Sequence, residues 1–220
     1  MKDNTYGTVE GESMNDFDMS ERQKDALQEA GNIAAGSAAT ALSTLLMGER
    51  VMIDATDCRI VDLEKVPQAL GDVTKQVVAV YMGVQDMNHG SIQMIFSHQS
   101  AMILCDMFSK NWTGGTKEIT DREIAILSEI GNICICAYLN TLSKLMGITL
   151  MPYPPAVAVD MIGPILEAIA TDFDAVGESA VIIETEFIHR YGKSQGHFLF
   201  ILDEESKQRI LRMFKADIKQ

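Results

Sequence analysis

The chain carries two pairs of a glutamate and an asparagine that stand three residues apart: Glu29 with Asn32, and Glu129 with Asn132. An asparagine has no pKa that suits proton transfer, but its amide offers hydrogen-bond donors and an acceptor and can hold a water molecule in a fixed orientation. A glutamate can pair with a cation on a partner molecule. This combination suits phosphoryl transfer to water, where positioning and electrostatics supply most of the catalysis. The phosphoryl group, and any Mg²⁺, would then come from another molecule.

The two pairs belong to a segment that the chain repeats one hundred positions later. Residues 25–46 and 125–146 share identical residues at equivalent places: Leu27, Glu29, Gly31, Asn32, Ile33, Leu42, Ser43 and Leu45 recur as Leu127, Glu129, Gly131, Asn132, Ile133, Leu142, Ser143 and Leu145. Both segments have the spacing of apolar residues that is typical of a long helix.

Residues four and seven positions apart lie on one side of a helix. Asp25, Glu29 and Asn32 therefore form one polar stripe, and Glu129 and Asn132 form another. The apolar residues of the first helix cluster on a different side and are expected to pack inward: Leu27, Ala34, Ala38 and Leu45. We therefore expect the Glu–Asn edge of each helix to be exposed.

The motif glycines, Gly31 and Gly131, stand between the glutamate and the asparagine of each pair. We expect them to leave room for a partner to approach the helix closely.

A plainer interpretation of the motif also stands. A glutamate and an asparagine on a helix surface are usually solvated residues, and one such pair would carry no information. Recurrence at equivalent places is more informative, although a duplicated segment can keep a motif by descent alone. The residues by themselves leave both interpretations open.

The elements around the motif follow the same order in both halves of the chain. In the first half we expect a helix from the capping box of Ser20 and Gln23 to about Gly48, strands at 51–63, 76–84 and 91–96, and helices at 67–70 and 98–108. In the second half we expect a helix from Thr120 to Met146, extended chain at 148–161, a helix at 164–170, strands at 179–190 and 197–202 around a turn at 192–196, and a closing helix at 204–214.

This order, α-β-α-β-β-α written twice, predicts a single α/β (α+β) domain with an internal pseudo-twofold repeat. We expect a mixed sheet with the two long helices side by side on one face. Residues 1–18 are expected to form a mobile acidic tail. The domain would span 19–215, with repeats 19–110 and 119–215 joined by a linker at 111–118.

Composition excludes several classes of function. The 220 residues carry a formal charge of −13, which argues against nucleic acid and anionic membranes as partners. We find no secretory signal and no apolar run approaching the roughly 20 residues that cross a bilayer. The four cysteines lack C-x-x-C spacing and are expected to be free thiols in a reducing cytoplasm. The scattered histidines form no metal motif, and neither a nucleotide-binding loop nor a G-x-S-x-G elbow occurs.

The doubled motif resembles the signature of the CheC-type chemotaxis phosphatases, the family that includes CheC, CheX and FliY. The shared pattern is Asp or Ser, three residues, Glu, two residues, Asn, and a proline some twenty-three positions later. The match covers about residues 20–214 and is closest to the CheC type, because the CheX type is shorter with one motif and the FliY type has an additional C-terminal domain.

The resemblance implies a function and a set of roles. It implies dephosphorylation of the response regulator CheY, with Glu29 and Glu129 gripping a regulator lysine and Asn32 and Asn132 orienting the attacking water. It implies no cofactor of the chain's own, with Mg²⁺ on the regulator. It also implies the deamidase CheD as a second partner, near residues 164–172. One chain with two motifs would suffice as a monomer.

Each copy departs from the family pattern at one position. The first copy has Asp25, but Ala55 stands where the proline is expected. The second copy has Pro155, but Ala125 stands where Asp or Ser is expected. Both Glu–Asn pairs are complete, so we expect two sites, and their relative activity is left open. We expect a minor, local role for Asp25.

The rival hypothesis belongs to a different class. The chain would be a non-catalytic chemotaxis adaptor that binds CheD or phosphorylated CheY. The intact Glu–Asn pair in both copies favours catalysis, because a protein that only binds could lose either residue.

Overall fold

Two long helices carry the Glu–Asn pairs, and both form where the sequence predicts them. Helix α1 spans Glu21–Leu45 and buries its small and apolar side. The last buried residue within this helix is Leu42. Helix α4 spans Asp121–Met146. The predicted capping box opens α4, where the Thr120 backbone N–H donates to Glu123 Oε2 at 3.2 Å. The predicted burial of Leu45 is wrong: it is the last residue of α1 and is exposed, while Leu42 and the following Leu46 are buried.

The computed structural model describes residues 21–72, 74–85, 90–109, 115–172, 179–190 and 192–202, together with residues 205, 207, 208 and 212. The predicted tail at 1–18, the N-cap at Ser20, the first part of the linker and most of the closing helix lie outside the described residues. The domain limits therefore stay a prediction.

The other elements alternate between strands and shorter helices. The first half contains β1 (Met52–Asp62), a 3₁₀ turn (Leu63–Lys65), α2 (Val66–Leu70), β2 (Gln76–Gln85), β3 (Ser91–Ser97) and α3 (His98–Phe108). The second half contains β4 (Met151–Pro152), β5 (Ala156–Met161), α5 (Ile162–Asp172), β6 (Ser179–His189) and β7 (Gly192–Leu202). Both halves thus follow the predicted order up to the last described strand.

The strands form one sheet whose order reflects the duplication. The order is β1-β6-β7-β3-β2, and both β4 and β5 pair with the far side of β2. The pattern is symmetric about the central β3–β7 pair. The first strand of each half pairs with the hairpin of the other half, so the two repeats interlock into a single domain.

The predicted mixed sheet is wrong in strand direction, because every pairing between described strands is antiparallel. Each half contains a hairpin, which is antiparallel by construction. A twofold axis through the sheet then reverses the direction of equivalent strands, so β3 and β7 also run antiparallel where they meet.

Two element limits also differ from prediction. Residues 192–196 do not form a turn but begin β7, and the chain reverses between His189 and Gly192. Gly196 is there for packing, because a Cβ at this position would lie 2.4 Å from Phe96 Cε1. Helix α5 starts at Ile162 rather than Pro164. Pro164 is tolerated inside the first turn because a proline there removes no helical hydrogen bond.

Helices cover both faces of the sheet. The larger core lies beneath α1, α3 and α4, where Tyr138 stacks on Phe198 with ring centroids 4.0 Å apart. The smaller core lies on the opposite face and includes Val66 of α2 and Ile165 of α5. The two long helices contact each other on one face, as predicted.

Helix α4 bears on the expectation that no apolar run approaches the length of a membrane span. The span Asp121–Lys144 is long and apolar enough to cross a membrane by length and composition alone. In the structure this span packs on α1 and the sheet and buries Leu127, Cys134 and Tyr138. A core helix that is buried on much of its surface has the same composition as a spanning helix.

Candidate functional site

The structure brings the four predicted site residues to the surface of two neighbouring helices. Glu29 and Asn32 are exposed on α1. Glu129 is exposed on α4, and Asn132 is half-buried. Neither glutamate forms an ion pair or a hydrogen bond with any residue in the described part of the chain. Both carboxylates are therefore available to a cation on a partner.

The motif glycines face the sheet and not the partner, which corrects the expected role. A Cβ on Gly31 would lie 3.2 Å from Cys58 Sγ and 3.3 Å from Ala55 Cβ. A Cβ on Gly131 would lie only 2.4 Å from Val80 Cγ1. Both glycines are buried because the amphipathic pattern turns this side of each helix inward. They let the helices lie close to the strands, and the room that they leave is already filled.

The first strand of each half is irregular next to the motif helix. In the first half the register of β1 against β6 shifts between Ala55 and Asp57, which marks a β-bulge. The Gln28 side-chain amide donates to the backbone carbonyl of Ala55 and ties this bulge to α1. In the second half the strand is interrupted between β4 and β5, and Pro155 lies in the interruption. A bulge in one copy and prolines in the other thus break the strand at equivalent places.

The residues one turn before each glutamate differ between the copies. Asp25 and Ala125 are both exposed. Asp25 makes no hydrogen bond or ion pair with another described residue, so the structure gives it no local capping role.

One contact of the site was not predicted from the sequence. The thiol of Cys136 lies one helical turn after Asn132, with Sγ 3.7 Å from the amide Oδ1. The four-residue spacing of Asn132 and Cys136 is the signal in the sequence that could have indicated this contact.

All four cysteines are free thiols, as predicted: Cys58, Cys105 and Cys134 are buried and Cys136 is half-buried. Burial raises the pKa of Cys58 and Cys105 to about 12, with neighbouring carboxylates adding to the shift. Burial also raises the pKa of Cys136. These thiols therefore stay protonated at neutral pH.

Metal binding has no visible place in the described ranges. They contain no group of three or more His, Cys, Asp or Glu side chains that could hold a metal ion.

Known protein sequences resemble this chain across most of its length. A sequence model of the CheC-like family matches residues 23–48, which hold Glu29 and Asn32. The CheY-P phosphatase CheC of Bacillus subtilis is 24% identical over 206 residues, which cover 90% of this chain and 96% of that protein. The flagellar motor switch phosphatase FliY of Bacillus subtilis is 29% identical over 130 residues, which cover 59% of this chain and 31% of that protein.

Solved structures share the fold. The structure of Thermotoga maritima FliY superposes with a TM-score of 0.69 at 22% identity, covering 90% of this chain and 98% of that one. The middle domain of FliM from H. pylori superposes with a TM-score of 0.62 at 14% identity, covering 89% of this chain and 99% of that one. Sequence and fold together confirm the predicted relationship: this chain resembles the CheC-like proteins.

Proposed function

We propose that this chain is a phosphatase that hydrolyses the aspartyl phosphate of a CheY-like chemotaxis response regulator. The observation that carries the proposal is the position of two Glu–Asn pairs on two helices that lie side by side, with Glu29, Asn32 and Glu129 exposed, Asn132 half-buried, and both glutamates unpaired within the described residues. The similarity to a protein named CheY-P phosphatase supports the choice of substrate.

The asparagines position the attacking water in the proposed reaction. The amide of Asn32 or Asn132 holds a water molecule, whose oxygen forms a bond to phosphorus while the bond from phosphorus to the aspartyl oxygen breaks. The regulator recovers its carboxylate. The oxygen and protons of the water leave with inorganic phosphate. The chain brings no cofactor, and the Mg²⁺ and phosphoryl group belong to the regulator. Alignment of this kind contributes roughly 7–11 kcal/mol in favourable cases.

The glutamates require a cation on the partner, because both this protein and its proposed target are acidic. A phosphorylated aspartate site is negatively charged, and this chain carries a formal charge of −13. Glu29 and Glu129 are tolerable at such an interface only if each meets a cation. A lysine of the regulator is the proposed partner for each glutamate.

The test is phosphate release from a phosphorylated CheY-type regulator, with binding measured in parallel. We expect the wild type to accelerate release and the Asn32→Ala, Asn132→Ala double variant to bind the regulator without accelerating release. Binding without acceleration by the wild type would instead favour the adaptor hypothesis. Acceleration that persists in the double variant would remove the asparagines from the mechanism.

A second proposed partner is CheD, which the family resemblance associates with the region of α5. Glu167 is exposed on this helix, and Glu64 is an exposed acid in the 3₁₀ turn before α2. We expect Glu167→Arg to weaken pull-down of CheD and Glu64→Arg to leave it intact. Equal binding by both variants would argue against this location.

We further propose that the chain works in the cytoplasm as a monomer, because one chain supplies both motifs.

A further inference from the structure

The amide of Asn132 has a hydrogen-bond donor within its own helix. Cys136 lies one turn further along α4, and its thiol donates to Asn132 Oδ1 across 3.7 Å. An amide group is planar, so a hydrogen bond to Oδ1 restricts its rotation and turns Nδ2 away from Cys136. The amide N–H groups then remain available to a water molecule on the outer side.

The environment of Cys136 keeps this donor in place. The side chain is half-buried against the larger core, which limits its own rotation. Burial also raises the pKa of the thiol, so the S–H proton is retained at neutral pH. A thiol is a weak donor, and its effect is expected to be modest.

The first site has no equivalent of this contact. Gly36 occupies the position of Cys136, and a Cβ placed there would meet no atom within 4 Å. The hydroxyl groups that follow Asn32 donate to the helix backbone instead: Ser37 to the carbonyl of Ile33 at 3.0 Å, and Thr40 to the carbonyl of Gly36 at 2.9 Å. Asn32 is therefore exposed and unrestrained by the described residues, whereas Asn132 is held.

We propose that Cys136 is a positioning residue that orients the Asn132 amide toward the attacking water at the second site. The proposal rests on the proposed phosphatase function. It makes a kinetic distinction, because orienting the nucleophile changes the maximal rate of phosphate release and leaves regulator binding unchanged. Loss of a weak hydrogen bond to the amide corresponds to a roughly two- to fivefold lower maximal rate.

The experiment isolates the second site by using Asn32→Ala as the background for every variant. Cys136→Ala removes the donor while keeping a good helix former, and Cys136→Ser restores a hydroxyl donor. Asn140→Ala, an exposed change on the same helix, is the matched control. Phosphate release is measured at increasing phosphatase concentration, and thermal unfolding checks that each variant folds.

We expect Cys136→Ala to lower the maximal rate without moving the half-saturating concentration. Cys136→Ser should recover most of the loss, and Asn140→Ala should match the background. An unchanged rate in Cys136→Ala overturns the positioning role, and so does a loss that serine does not restore in a folded protein, because packing alone would explain it.

Failure of the proposed function gives a separate result. If the Asn32→Ala background, with Cys136 intact, binds the regulator but gives no acceleration, the second site is not catalytic and the positioning role falls with it. If the background accelerates release and only the cysteine variants lack an effect, the phosphatase function stands and the role of Cys136 alone is removed.

Discussion

The two Glu–Asn sites lie on equivalent helices but differ in what supports them. In the first site Asn32 is exposed, and a bulge at Ala55 adjoins the helix. In the second site Asn132 is half-buried against the Cys136 thiol, and an interrupted strand adjoins the helix. The two copies share the glutamate and the asparagine of the motif, while the position of Cys136 and the form of the adjoining strand differ. The surface of each site and its support are therefore separable by mutation.

The largest expected effect is on the shared part of the two sites, the outward glutamates. Glu29→Lys and Glu129→Lys together should lower phosphatase activity on the order of a hundredfold, because each variant replaces attraction to a regulator cation with repulsion. Phosphate release at moderate salt measures the change.

The control for charge alone is Glu118→Lys, an exposed acid just before α4. It should change activity little. A comparable loss in Glu118→Lys would show that net charge, rather than a specific pairing at the motif, governs the encounter with the regulator.

The next effect concerns how the two helices meet the sheet. Gly131→Ala should destabilise the protein by about 1–3 kcal/mol, because the new Cβ would lie within 2.9 Å of two atoms of Val80. Gly31→Ala should change stability less, since its closest neighbours are at 3.2–3.3 Å and alanine favours the helix by roughly 1 kcal/mol. Urea unfolding measures both.

Gly36→Ala serves as the internal standard for helix propensity, because a Cβ at this position meets nothing within 4 Å. It should stabilise the protein by about 0.4–1 kcal/mol. If Gly131→Ala is as stable as Gly36→Ala, the close approach of α4 to β2 is not as the structure has it.

The smallest effect concerns the start of α4. The Thr120 side chain and backbone both donate to Glu123, and these hydrogen bonds, led by that of the side chain, lower the pKa of its carboxyl below the ordinary value of 4.5. A lowered folded-state pKa means that the stabilisation is complete above pH 4.5 and is lost as pH falls through the folded value.

Glu123→Gln should therefore reduce stability by roughly 0.5–1 kcal/mol at neutral pH and flatten the loss of stability in acid. Urea unfolding between neutral and acidic pH measures it. In the first half the corresponding residue is Gln23, which has no charge to lose, so Gln23→Ala should leave the acid dependence as it is. An equal acid dependence in wild type and Glu123→Gln would contradict the assignment.

Much of the fold could be predicted from the chain because the informative features are local. Helical spacing, the Thr120 capping box and the repeated order of elements all depend on residues close in sequence, and they predicted α1, α3 and α4 within a few residues. The direction of β3 against β7 could not be predicted, because it depends on how the pseudo-twofold axis places these two strands beside each other.

The same distinction applies to the site. The exposed position of Glu29, Asn32 and Glu129 follows from helix geometry and was predicted. The half-burial of Asn132 was not predicted. The role of Gly131 depends on Val80, which is distant in sequence. The thiol contact of Asn132 is local, but its importance appears only once the half-buried setting of both residues is known.

The most direct test of two working sites is phosphate release by the single variants Asn32→Ala and Asn132→Ala, compared with wild type and the double variant. Because Asn132 is held and Asn32 is not, we predict partial loss in each single variant, the larger loss in Asn132→Ala, and no acceleration in the double variant. Complete loss in one single variant with no loss in the other would contradict the account, since only one of the two Glu–Asn pairs would then be a site.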